Sequence, residues 1–251
     1  MCHERVKFMN HQKFCTFGDS AALKYAASAL WSYGWEYDAS SKNILLPVPS
    51  FDSEGRVKGG GRLEDIISDD SVIWGGNLNC NVLSSYRCVD LLQDPIYVAE
   101  NAAITAYCAI SLAAEKLPIM LSNCPVLIIG WGRIGKCLAF LLRQIQAKVT
   151  VYARKSADRG ILSALGYEIL EDINDVNKIQ SYRLIFNTVP AMILNKETVT
   201  SRQLCIDLAS VRGMEGDNVI WARGLPGTLA PESSGILIAK TMDRLGKELA
   251  L

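Results

Sequence analysis

The hexamer Gly130-Trp131-Gly132-Arg133-Ile134-Gly135, a G-x-G-x-x-G, constrains this chain more than any other feature of its 251 residues. Alone, such a hexamer is weak, because glycine-rich strings arise by chance. Here the apolar run Val126-Leu127-Ile128-Ile129 precedes it, and Ile134, Cys137, Leu138, Leu141, Leu142 and Ile145 follow at helical spacing. A continuous apolar run is the mark of a strand buried on both faces, and a second strand, 149–152, arrives after a βαβ-sized interval. In that setting Gly130 permits a tight turn, Gly132 lets the backbone approach a pyrophosphate, and Gly135 lets the helix pack closely on the strand. The helix N-terminus then offers unpaired N–H groups and partial positive charge to the phosphates.

The same βα rhythm continues from Cys124 onward. Strands are expected at 126–129, 149–152, 167–170, 184–187, 204–208 and 219–222, with a second helix through 161–165 closed by Gly166. Six strands are the count of a complete dinucleotide-binding fold. The first 100 residues are looser: a strand at 14–18 runs into Asp19-Ser20 and an Ala-rich helix at 21–33, and strands at 44–48 and 72–74 flank a glycine-rich loop at 55–61. The expected class is α/β, a doubly wound Rossmann sheet plus a smaller, flavodoxin-like N-terminal α/β domain. The expected divisions are a substrate-side domain over 1–100, a connecting helix over 101–118 ended by Pro118, a nucleotide-binding domain over 119–230 and a C-terminal helix over 231–251. Pro231 and Glu232 suit the start of that last helix, which is expected to pack back on the first domain.

Composition excludes several function classes. With 49% hydrophobic and 21% charged residues the chain reads as soluble and globular. Its 26 basic and 26 acidic side chains leave no field to recruit nucleic acid or a membrane surface. The longest apolar run, 102–114, is shorter than the roughly 20 residues of a spanning helix. The start Met1-Cys2-His3-Glu4-Arg5 lacks the apolar core of a secretion signal, so a cytoplasmic protein is expected. The cysteines, Cys2, Cys15, Cys80, Cys88, Cys108, Cys124, Cys137 and Cys205, form no C-x-x-C pair and read mostly as small hydrophobes. No disulfide framework and no metal site are expected. The two histidines, His3 and His11, lie outside every segment that could line a cleft, which disfavours histidine general-base chemistry.

The end of the second strand reads Tyr152-Ala153-Arg154-Lys155-Ser156, with Arg159 one turn on. An NAD-selective site would carry a carboxylate there for the ribose 2′-OH. Two cations and a hydroxyl suit a 2′-phosphate instead, so NADP is favoured over NAD; a merely solvated basic turn is the alternative. Asn187-Thr188-Val189-Pro190, after the strand 184–187, are expected beside the nicotinamide. Asp207 reads either as a catalytic carboxylate or as a loop cap. The run Gly224-Leu225-Pro226-Gly227-Thr228-Leu229-Ala230-Pro231 reads as a rigid loop with close backbone approach, either closing over a substrate or turning a corner. No general acid or base is identified, and Asp207 and Glu232 are given no such role.

Taken together, the blocks V-L-I-I-G-W-G-R-I-G, Y-A-R-K-S, F-N-T-V-P-A, I-D-L-A-S and G-L-P-G-T-L-A-P-E-S-S-G resemble the family of the A subunit of dipicolinate synthase, which is related in architecture to the D-2-hydroxyacid dehydrogenases. The resemblance runs through most of 90–249 and is faint before that, at Phe17-Gly18-Asp19 and Leu46-Pro47-Val48. It implies NADP-linked oxidation of a dihydrodipicolinate-type ring to pyridine-2,6-dicarboxylate, a role in sporulation and a flavoprotein-like second subunit. It also implies substrate contacts at Asn101, Thr105, Ser210 and Gly227. Where the family has P-T-A-E-G, this chain has Ile104-Thr105-Ala106-Tyr107-Cys108, without the acid. Where the family continues with Lys-Pro-Gly-Gly, Val211-Arg212-Gly213-Met214 follow, with the cation displaced by one position. The alternative readings are a dehydrogenase for another small carboxylic acid and a catalytically silent nucleotide-binding subunit. A homo-oligomer, such as a dimer, fits related architectures.

Overall fold

The computed structural model describes residues 12–79 and 83–250. Cys2, His3, His11 and Cys80, and with them the reading of the N-terminal start, lie outside the described residues. The chain forms two compact units: one runs to Glu100 and resumes at Pro231, and the other is Asn101–Ala230.

In the first unit, β1 (Lys13–Thr16) leads to α1 (Ala21–Ser32), β2 (Glu36–Tyr37), β3 (Asn43–Leu45), β4 (Val72–Gly75) and β5 (Arg87–Asp90). All pairings are parallel, in the order β2-β1-β3-β4-β5, which is the flavodoxin-like strand order. Two strands, β2 and β5, were not expected from the sequence. Ser20 caps α1 by accepting from the Leu23 N–H at 3.1 Å. One sheet face packs Cys15, Ile44, Leu46, Val57 and Ile73. On the aromatic side, Phe14, Trp35 and Trp74 are buried and meet edge to face.

Between β3 and β4 the chain crosses over with only a short 3₁₀ turn, Leu63–Asp65. The C-terminal helix, Pro231–Glu248, packs along α1 on the aromatic face of this sheet. That helix begins at Pro231, the residue read as suiting its start. Its buried Asp243 accepts from the Trp35 indole N–H at 3.3 Å and from Lys247 at 2.7 Å. Arg244 bonds Asp94, which also caps the next helix by accepting from the Tyr97 N–H at 2.7 Å.

That helix, α2 (Pro95–Lys116), starts six residues before the expected 101. Asp94 as cap and Pro95 at the first helical position are a start signal. By length and composition alone α2 could cross a membrane, although its Ala106, Cys108, Ala109 and Ala113 are fully buried in the second unit's core.

The second unit continues with β6 (Pro125–Ile129), α3 (Arg133–Gln144), β7 (Lys148–Tyr152), α4 (Ser156–Ala164), β8 (Glu168–Ile169), α5 (Val176–Gln180), β9 (Leu184–Asn187), β10 (Leu204–Asp207), β11 (Val219–Trp221) and α6 (Leu225–Leu229); the C-terminal helix is α7. Its parallel sheet has the order β11-β10-β9-β6-β7-β8, the Rossmann arrangement. Along β6, Val126 and Ile128 face a core with Leu138, Leu142, Leu184 and Phe186, whereas Leu127 and Ile129 face Leu170, Ile179, Ile185 and Cys205. Burial on both faces is why this strand has no polar alternation. The Cys205 thiol is fully buried, and burial pushes its pKa up to about 12, which makes it unreactive. The second helix spans Ser156–Ala164 with Leu165 as its C-cap, and so contains the stretch read as helical. One expectation is corrected. The run 224–231 is not a plain loop but contains α6, because Pro226 near a helix start removes an N–H that has no helical partner anyway.

The closest helix pair in the first unit gives a stability prediction. A Cβ on Gly235 of α7 would lie 2.5 Å from Tyr25 Cβ and 2.6 Å from the Ala22 carbonyl oxygen of α1. Gly235→Ala is expected to destabilise the protein by about 1–3 kcal/mol, read by urea denaturation. Gly227→Ala, where a Cβ would meet no atom within 4 Å, is the control and should change little.

Candidate nucleotide-binding site

Parallel pairing brings the carboxyl ends of β6, β7, β9, β10 and β11 to one edge of the second unit's sheet, where ligands of open α/β sheets lie. At the end of β6, Gly130 has φ +105°, and a Cβ there would collide with Thr188 Oγ1. A Cβ on Gly135 would collide with the Gly130 carbonyl oxygen, so the protein's own packing demands both glycines. Gly132 differs: it is exposed, and a Cβ there would meet no atom within 4 Å. Gly132 is also the N-cap of α3, and no side chain caps it. The first N–H groups of a twelve-residue helix are therefore left open toward free space. Arg133 is exposed and Ile134 half-buried beside them.

Trp131 contributes only backbone to this turn. Its ring packs on Tyr167, with centroids 5.7 Å apart, and the Lys136 ammonium lies 5.9 Å from its centroid. The indole Nε1 is buried without a hydrogen-bond partner.

At the end of β7, Ala153 is buried, and Arg154, Lys155 and Ser156 are exposed at the start of α4. No ion pair engages Arg154 or Lys155 among the described residues. Arg159 is placed differently from the expectation. Its guanidinium turns back to donate to the carbonyls of Ala153 and Arg154, at 3.4 and 3.2 Å, so it braces the loop.

Asn187 also departs from its expected role beside a ligand. It is fully buried, its Nδ2 donates to Val189 O at 3.0 Å and Asp207 Oδ1 at 2.9 Å, and its Oδ1 accepts from the Val189 N–H at 3.0 Å. With every polar atom of its side chain engaged, it holds the turn instead. Thr188 stays half-buried at the edge; its N–H and its hydroxyl both donate to Ile129 O, at 2.9 and 3.0 Å, tying the end of β9 to that of β6. Val189 is half-buried and Pro190 exposed.

Asp207 resolves as the loop cap. Fully buried, it accepts from the Ala209 N–H at 3.1 Å, the Gly213 N–H at 2.6 Å and the Met214 N–H at 3.1 Å, besides Asn187. A carboxylate with this many fixed donors is structural.

The residues weighed for substrate contact are scattered. Ser210 and Val211 are exposed beyond β10, and Gly227 lies within α6 with open space beside it rather than a close backbone neighbour. On α2, the Thr105 hydroxyl donates to Asn101 O at 2.8 Å, and Tyr107 is 64% exposed. No cluster able to hold a metal ion occurs among the described residues. Sequence reasoning passed over Gly213, whose Cβ would collide with Ala191 O. It also passed over Trp221, which ends β11 and donates its indole N–H to Ala209 O at 3.0 Å. An aromatic followed by an arginine at a strand end was the available signal for the latter.

No family model matches the chain. The A subunit of dipicolinate synthase from Bacillus subtilis (strain 168) is 26% identical over 238 residues, covering 82% of this chain and 78% of that protein. The crystal structure of the corresponding dipicolinate synthase subunit from Bacillus halodurans matches with TM-score 0.81 at 20% identity, covering 94% of this chain and 97% of that one. The crystal structure from Bacillus subtilis matches with TM-score 0.81 at 22% identity, covering 96% and 98%. These structural likenesses are likenesses of fold.

Asp207→Asn places an N–H donor against backbone donors and is expected to lower stability by about 2–3 kcal/mol, read by denaturant unfolding. Thr188→Val, which keeps the shape and removes the hydroxyl, is expected to weaken nucleotide binding about threefold through the loosened turn, measured by calorimetry, whereas Thr188→Ser should bind as the parent does.

Proposed function

Because the chain is a divergent relative of the A subunit of dipicolinate synthase, we propose that it is a nicotinamide-dependent oxidoreductase that prefers NADP and oxidises a dihydrodipicolinate-type ring to pyridine-2,6-dicarboxylate. The observation that carries the reading is the open cradle at Gly132, beside an uncapped helix N-terminus and two unpaired cations. The backbone N–H groups at the start of α3 would hold the diphosphate. Arg154 and Lys155, with the Ser156 hydroxyl, would hold the 2′-phosphate, and buried Ala153 offers no carboxylate to repel it. Val189 and Pro190, fixed by Asn187, would flank the nicotinamide.

The bound cofactor supplies the hydride acceptor, and the ring loses a hydride and a proton as it becomes aromatic. Aromatisation provides driving force, so the protein's task is to orient the ring. No histidine occurs among the described residues to act as a base, which is compatible with a reaction that depends mainly on placement. By the resemblance to the family, the reading extends to use in sporulation and to a flavoprotein-like second subunit.

Calorimetric titration is expected to give tighter binding of NADPH than of NADH; tighter NADH would overturn the phosphate assignment. Arg154→Gln with Lys155→Gln is expected to cost about tenfold or more in NADPH affinity and to leave NADH unchanged. Turnover is tested by following NADPH absorbance with freshly generated dihydrodipicolinate precursor, with and without a candidate second subunit. Intact cofactor binding with no turnover in either case would overturn the substrate.

A further inference from the structure

Charge is distributed unevenly along the carboxyl edge of the second unit's sheet. The segments 130–134, 153–156, 188–193, 208–214 and 222–230 contain Arg133, Arg154, Lys155, Arg212 and Arg223 and no carboxylate. Acids at this edge are Asp207, buried and fully engaged at the end of β10, and, after β8, Glu171, Asp172 and Asp175. None of the five cations is ion-paired among the described residues, whereas in the first unit Lys13, Lys24, Lys42, Arg56, Lys240, Arg244 and Lys247 all are. Arg133, Arg154 and Lys155 lie at the ends of β6 and β7, where the diphosphate and 2′-phosphate account for them. Arg212 and Arg223 follow β10 and β11, on the other side of β9.

Arg223 is exposed and lies over an aromatic ring. Its guanidinium carbon lies 5.3 Å from the ring centroid of Trp221, and the Trp221 indole N–H is fixed on Ala209 O at 3.0 Å. Trp221 stands opposite Asp207 in the sheet register, and Asp207 in turn fixes the 208–214 loop. A contact with a ring uses no N–H donor of the guanidinium as a conventional hydrogen bond and leaves its donors free for an oxyanion. Arg212 is anchored by a single bond, Nε to Met214 O at 3.1 Å, which leaves its terminal nitrogens available. Adjacent strands lie about 4.8 Å apart, so the end of β11 is about 10 Å from the end of β9, a span that a small ring beside the nicotinamide would fill.

We propose that Arg223, oriented by Trp221 and seconded by Arg212, forms a carboxylate-recognition shelf at the β10–β11 end of the sheet and sets the preference for an acidic substrate. The proposal rests on the proposed function for the nature of that substrate. Arg223 would contact the carboxylate directly, and Trp221 is a positioning residue.

The test uses the full-length protein saturated with NADPH. Binding of pyridine-2,6-dicarboxylate, of its uncharged diamide and of glutarate is measured by calorimetry for the parent, Arg223→Gln, Arg223→Lys, Trp221→Leu and the double variant Trp221→Leu/Arg223→Gln. Expected are binding of the dicarboxylate but not the diamide, a loss of about tenfold or more in Arg223→Gln, and a smaller loss in Arg223→Lys. Trp221→Leu should weaken binding in the parent and add nothing in the Arg223→Gln background, a coupling that a general structural defect would not produce. NADPH affinity should be unchanged throughout. Equal binding by the parent and Arg223→Gln would overturn the shelf while leaving the proposed reaction standing. Arg223-dependent binding of glutarate without the pyridine would support the shelf and overturn the reaction. Failure of the parent to bind either acid would overturn both.

Discussion

The approach of α3 to β6, possible only because Gly130 and Gly135 have no side chains, is the constraint on which the second unit's working edge depends. A Cβ at Gly135 would strike the carbonyl of Gly130, and one at Gly130 would strike the Thr188 hydroxyl. That hydroxyl also bonds Ile129 O. Strand, turn, helix and the end of β9 are thus locked together by one small volume. Gly132 is left outside that lock, with open space on its free side.

Burial decides which polar residues at this edge can meet a ligand. Asn187 and Asp207 are fully buried and bond each other and the backbone of the following turns. They replace the pairing that the loop backbone loses when the strands end, as buried polar groups must. Arg133, Arg154, Lys155, Arg212 and Arg223 at the same edge are exposed and have no ion pair among the described residues. The buried amide and carboxylate hold the loops after β9 and β10, Arg159 braces the loop after β7, and the other cations at this edge are exposed.

The strands of the second unit were readable to within a residue or two, since a strand covered on both faces must be apolar throughout, as 126–129 and 184–186 are. The first unit was less readable. β2 has two residues, Glu36 and Tyr37, and β5 begins with exposed Arg87 and Cys88, so neither has a hydrophobic pattern to read. The early start of α2 was legible in Asp94-Pro95, and α6 was hidden by a Gly- and Pro-rich composition that usually marks a loop. Among the candidate site residues, the glycine turn and the basic strand end were visible because their geometry and charge follow from local backbone and residue type. Asn187 and Arg159 were misplaced because their partners, Asp207 and the loop carbonyls, are chosen by folding rather than by spacing.

By itself, the amino-acid order determined the α/β class, the positions of the buried strands, the glycine turn and the absence of an acid at the end of β7. Each of these follows from periodicity or from the local demands of one residue's backbone. Only the tertiary structure decided that Asp207 is a cap, that α7 packs on α1 as part of the first unit, and that the Arg223 guanidinium lies over the Trp221 ring. Those outcomes depend on which distant groups share a buried volume, and no local pattern specifies that.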